Sequence, residues 1–88
     1  MKIRIEIKGG MIGVVLVDKN KVLDRINFPE ERNLSEKLLP SIDDLLEKNR
    51  FSSLDIERME LKSDLDDSWT TYRIAKSVTE AFNWTKSL

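Results

Sequence analysis

Residues 2–8 alternate strictly, with Ile3, Ile5 and Ile7 on one side and Arg4 and Glu6 on the other, which predicts a strand with one solvated face. Gly9-Gly10 follows as a tight hairpin turn. Residues 11–17 are almost all apolar and β-branched, the pattern of a strand with little of either face in water. Asp18-Lys19-Asn20-Lys21 is a polar turn, and residues 22–28 give a third strand that ends at Pro29, so the chain opens as a three-stranded meander. Asn33-Leu34-Ser35-Glu36 has the side chains of a capping box. Leu38, Leu39, Ile42, Leu45 and Leu46 then recur at helical spacing, predicting a helix to about Asn49 that bends but does not break at Pro40.

After a connector over 51–54, residues 56–61 alternate Met59 and Leu61 with Arg58 and Glu60, a fourth strand. Returning from a helical crossover, it should lie parallel to an earlier strand, and charge pairing favours Arg4 and Glu6 opposite Arg58 and Glu60. Asp66, Asp67 and Ser68 crowd the start of a final helix, where they favour capping and the helix dipole. Thr71, Ile74, Ala75, Val78, Ala81 and Phe82 form its buried stripe, to about Trp84. The order βββαβα predicts one α/β domain over residues 1–88, with a mixed four-stranded sheet, both helices on one face and charge on the other.

Composition narrows the chemistry. Eighty-eight residues, 40% apolar and 35% charged, suit one modest core, and no apolar run reaches membrane-spanning length, so a cytoplasmic location is expected. The absence of cysteine removes disulfides and thiolate zinc sites. The absence of histidine removes the commonest general base and metal ligand. A net charge of −1 with interspersed signs argues against direct nucleic-acid binding.

Several sharper readings yield to plainer ones. Gly9-Gly10 lacks the helix that would make it a phosphate cradle. Asp64, Asp66 and Asp67 lack the ligand count of a calcium loop, so neither metal nor cofactor is expected. A metal-dependent nuclease would have to rest on Glu6 and Glu60, which an ion-paired sheet surface explains better. Trp69, Tyr72 and Trp84 stand off the core stripes, and Arg73 lies beside two of them. They either cover the helix ends or anchor a partner.

Two strings carry a family resemblance. Residues 33–40, Asn-Leu-Ser-Glu-Lys-Leu-Leu-Pro, followed by Ile42 and Leu45-Leu46, resemble the "HSE-x-LLP" helix of the TsaB (YeaZ-like) family. Residues 68–74, Ser-Trp-Thr-Thr-Tyr-Arg-Ile, resemble its "SFTGLRIG" helix start. The resemblance covers nearly the whole chain and implies the amino-terminal lobe of an RNase H-like, actin-like ATPase fold. It also implies losses. The family's Gly-Pro-Gly before the second string is replaced by Leu65, Asp66 and Asp67, and its next glycines by Thr71 and Ala75. Ile7 stands about where the other phosphate loop has its aspartate, and Leu34 where the family has a histidine. No nucleotide is therefore expected.

In the family, TsaB is a noncatalytic partner of TsaD, which installs threonylcarbamoyl on adenosine in transfer RNA, and the two associate through amino-terminal-lobe helices. The resemblance thus implies a scaffold, not an enzyme, that pairs through residues 33–49 and 68–85 with a TsaD-like protein or with a second copy. Candidate contacts are Leu38, Ser41, Leu45, Trp69, Tyr72, Arg73, Lys76 and Thr79. The alternatives are a regulatory or structural module with a different protein partner and, last, a residual hydrolase of the peptidase kind once suggested for the family by analogy.

Overall fold

The computed structural model describes residues 1–30 and 34–87. Four strands, β1 (Lys2–Lys8), β2 (Met11–Asp18), β3 (Lys21–Pro29) and β4 (Arg58–Ser63), form one sheet in the order β3-β2-β1-β4. Helix α1 (Leu34–Lys48) joins β3 to β4, and α2 (Thr70–Lys86) follows β4. β1 pairs antiparallel with β2 and parallel with β4, the mixed sheet that a meander followed by a helical crossover produces.

Gly9 and Gly10 both hold positive φ, 58° and 77°, as a two-residue hairpin turn requires, and Lys19 and Asn20 repeat that conformation between β2 and β3. The core lies between sheet and helices. Ile3, Ile5 and Ile7 of β1 and Ile12, Val14 and Leu16 of β2 pack with Leu34, Leu38 and Leu45 of α1 and Ala75 of α2. α1 continues through Pro40, which sits in its second turn, where only one interior N–H is forfeited. It ends in a Schellman motif. Arg50 takes φ 62°, Phe51 N–H donates to the Leu46 carbonyl at 2.8 Å, and Arg50 N–H donates to that of Glu47 at 3.0 Å.

β2 is buried on both faces for two reasons. Its inward residues lie under the helices, while Val15 and Val17, on the helix-free face, lie at the centre of the sheet among charged side chains. Arg25 reaches from β3 across Gly13 to Glu6 on β1, Nη2 to Oε1 2.5 Å. A Cβ at position 13 would lie 3.0 Å from Asn27 Oδ1 and 3.7 Å from Arg25 Nη2, so the absent side chain leaves the passage open. The expected β1–β4 charge pairing is present in part: Arg4 stands opposite Glu60, with Lys2 Nζ 3.0 Å from Glu60 Oε1, but the register sets Glu6 opposite Lys62 and Arg58 opposite Lys2.

Three local expectations shift. The fourth strand begins at Arg58, because Ser52 and Asp55 form a capping box around a 3₁₀ turn, Ser53–Asp55, that occupies the connector and leaves Ile56 as its end. The final helix begins at Thr70 with Trp69 at the N-cap and no side-chain cap. Asp66 does not cap it: Oδ1 accepts from Ser68 N–H at 3.0 Å and from Ser68 Oγ, closing a turn before the helix. The capping residue expected at Asn33 lies outside the described residues.

Candidate partner-binding groove between the helices

On the same face, the two helices are fastened to opposite edges of the sheet. α1 is tied to edge strand β3 by Asn49 at its C-terminus, whose Nδ2 donates to Asp24 Oδ2 at 2.9 Å, and by Lys48, 3.2 Å from the same oxygen. These contacts, the Asn49 hydrogen bond foremost, hold the Asp24 carboxyl below its ordinary range. α2 is tied to the other edge. Asn83 Oδ1 accepts from Met59 N–H at 2.7 Å, and its Nδ2 donates to the Met59 carbonyl at 2.9 Å. One side-chain amide thus satisfies both edge-facing groups of Met59, as a neighbouring strand would. The Thr71 hydroxyl also donates to Glu30 beyond the end of β3.

β3 and β4 are three strand spacings apart, about 14 Å. Helices packed side by side sit about 8–10 Å apart. Helices fastened mainly at opposite edges diverge above the sheet, and an open groove of about 760 Å³ lies between them, although its floor residues Ile3, Ile56 and Met59 are themselves almost fully buried. Its floor is Ile3, Ile56 and Met59, and its walls are Leu39, Ile42 and Leu46 of α1 and Val78, Ala81 and Phe82 of α2. Leu54 on the 3₁₀ turn stands at one end, 87% exposed, and Leu39 on the wall is 55% exposed. Lys86 closes that end by donating to the Ser53 carbonyl at 2.7 Å while its ammonium lies 5.5 Å from the Phe82 ring centroid. Asp43 adds a negative charge to the lining.

The eight candidate contacts separate on this geometry. Leu38 and Leu45 are completely buried in the monomer core, and Thr79 is nearly so, its Oγ1 donating to the Ala75 carbonyl at 2.9 Å. Leu38 and Leu45 hold α1 on the sheet, Thr79 bonds within its own helix, and all three present almost nothing at the surface. Ser41 is half-buried on α1. Trp69 (54% exposed), Tyr72, Arg73 and Lys76 lie together on the first two turns of α2, where Arg73 donates to the Thr70 hydroxyl and Lys76 faces Glu80. None of them lines the groove: at 3.6 residues per turn they fall on the side of α2 turned away from Val78, Ala81 and Thr85. Trp84, 67% exposed, is likewise outside its lining.

The groove residues were legible as helix positions but not as a surface. The apolar stripe of α1 is wide because it is two stripes: Leu34, Leu38 and Leu45 face the sheet, and Leu39, Ile42 and Leu46, at i, i+3 and i+7, face the groove. Stripe width was the available signal.

At the far end of β1, Gly9 N–H donates to Asp64 Oδ2 at 3.2 Å, so a carboxylate already occupies the donor that a phosphate would use. Among the described residues, no group of three or more carboxylates converges as a metal site, and no helix is long and apolar enough to cross a membrane.

No family model and no curated protein matches the chain. Solved structures do. YeaZ from Pseudomonas aeruginosa superposes with a TM-score of 0.79 at 18% identity, over 99% of this chain and 41% of that one. A second structure, described as an uncharacterized protein with similarity to peptidase YEAZ from Pseudomonas aeruginosa, has the same TM-score and identity and is covered over 40% of its length. The chain thus has the fold of a partial YeaZ-like lobe and spans about two fifths of the structures it matches.

Proposed function

We propose that the chain is a noncatalytic, TsaB-like scaffold whose helical face, centred on the groove between α1 and α2, receives a TsaD-like protein in the pathway that threonylcarbamoylates transfer RNA. The observation that carries this reading is the groove: an apolar channel with Leu39 and Leu54 exposed beside it, on the two helices that the TsaB resemblance makes the pairing surface. Exposed apolar area of this kind favours burial against a partner. Trp69, Tyr72 and Arg73, on a different face of α2 from the groove, are residue types that dominate interface energetics and offer a second contact area on the same helix.

Loss of catalysis fits the same reading. The chain has no histidine or cysteine, and Asp64 occupies the Gly9 donor with a negative charge. The test is calorimetric titration of the chain into its cognate TsaD, with Leu39→Asp and Ala81→Asp as variants. Micromolar or tighter binding to the parent chain, weakened at least tenfold by each variant, is the expected result. Binding that is absent, or indifferent to both substitutions, refutes the proposal. A homodimer disrupted by the same variants, with no affinity for TsaD, assigns the face to a second copy instead.

A further inference from the structure

Along the sequence the charges are interspersed, but strand alternation sorts them. Six basic residues, Lys2, Arg4, Lys8, Arg25, Arg58 and Lys62, fall on the helix-free face of the sheet against two acidic ones, Glu6 and Glu60. That face carries +4 in a chain whose net charge is −1, leaving −5 for the remainder. The two carboxylates are held inward. Glu60 is bridged by Lys2, Arg58 and Arg4 at 3.0, 3.1 and 3.9 Å, and Glu6 by Arg25 and Arg4 at 2.5 and 3.2 Å. Lys8 and Lys62 are exposed and make no ion pair among the described residues.

The face is also finished. Val15 and Val17 at its centre are already fully buried. Its larger exposed apolar side chains stand at opposite ends, Met11 at one and Val22 with the neighbouring bulge residue Leu23 at the other. Protein interfaces need an apolar, often aromatic centre and are poor in lysine. This face has neither property, whereas protein–nucleic acid interfaces are strongly positive. β1 spreads its basic side chains over about 20 Å, several phosphate spacings of a double helix. No aromatic residue stands on the face to stack unpaired bases, which favours a duplex over a single strand.

We infer that the helix-free sheet face binds the phosphate backbone of a double-helical nucleic acid without reading sequence. The inference is independent of the helical face, since it uses the opposite side of the sheet. It is tested by fluorescence anisotropy with labelled 16-base-pair RNA and DNA duplexes of one sequence, which distinguish the two backbones. The expected dissociation constant at 50 mM salt is on the order of 10–100 µM, as for non-specific binding. With three to four phosphates neutralised, affinity should fall roughly 40- to 150-fold between 50 and 200 mM salt.

The double variant Lys8→Glu, Lys62→Glu alters exposed side chains and should fold as the parent does by circular dichroism while losing at least tenfold in affinity. Lys21→Glu, whose register places it on the other side of the sheet, should bind as the parent does. No binding at 50 mM salt and 500 µM protein overturns the inference, as does binding that survives the double charge reversal. Polyglutamate of matched charge that competes as well as the duplex also overturns it, by assigning the face to acidic protein.

Discussion

Asn83 offers the most direct test of how the two helices are set apart. Its side chain makes two hydrogen bonds to the backbone of Met59, at 2.7 and 2.9 Å, and both are partly buried. Each contributes about 0.5–1.5 kcal/mol, so their joint loss in Asn83→Ala costs about 1–3 kcal/mol. Alanine returns roughly 0.5 kcal/mol through its higher helix propensity. The net loss of about 0.5–2.5 kcal/mol corresponds, for a domain of this size, to a fall in Tm of roughly 2–20 °C. Asn83→Asp keeps the acceptor for Met59 N–H but loses the donor to its carbonyl, and should destabilise even though its shape is almost unchanged. Thermal unfolding followed by circular dichroism at low protein concentration measures both, and dilution matters because an uncapped β4 edge invites strand pairing between molecules. A fall below 2 °C for both variants would show that the amide does not fasten α2 to the sheet, and the account of the groove would lose its cause.

Arg50 occupies the left-handed position of a Schellman motif, so Arg50→Gly should raise stability by about 1 kcal/mol, read as a higher urea midpoint with unchanged slope. Leu38→Ala should cost about 2–5 kcal/mol through a core cavity, whereas Leu39→Ala, one residue along the same helix, should cost under 1 kcal/mol and act mainly on partner binding. Paired unfolding and binding curves separate the two. Asp24 and Glu60 both titrate below their ordinary values of 3.8 and 4.5, through hydrogen bonds from Asn49 and Lys2 foremost. Folded-state depression of a carboxyl stabilises fully above the ordinary value and is lost as pH falls through the depressed one. Stability should therefore be level above about pH 5 and decline below about pH 4, with the decline reduced in Asp24→Asn.

The order of elements was legible because each carried its own period. β1 alternates, β2 is continuously apolar, and α1 repeats every three to four residues, so type and sequence of elements followed from local pattern. Boundaries failed where side chains engaged the backbone at short range. Ser52 and Asp55 built a 3₁₀ turn inside the connector, and Asp66 closed a turn on Ser68 in place of capping α2. The groove was not legible, because it depends on where the helices are fastened, and Asn49 and Asn83 read in sequence as ordinary polar helix positions. Leu38 and Leu45 were indistinguishable from Leu39 as candidate contacts for the same reason: helical spacing groups them on one broad stripe, and only the sheet divides it. The charge of the helix-free face was hidden in the same way. An interspersed sequence becomes a segregated surface once alternate residues of three strands face one side.

The central claim is that the groove between α1 and α2 is where a partner docks. Isotope-labelled chain titrated with unlabelled cognate TsaD, followed through amide and methyl signals, tests it most directly. The account predicts shifts or broadening concentrated on Leu39, Ile42, Leu46, Val78, Ala81 and Phe82, with the helix-free face unperturbed. Spectra unchanged by TsaD, or changes confined to the strands' outward residues, would contradict it.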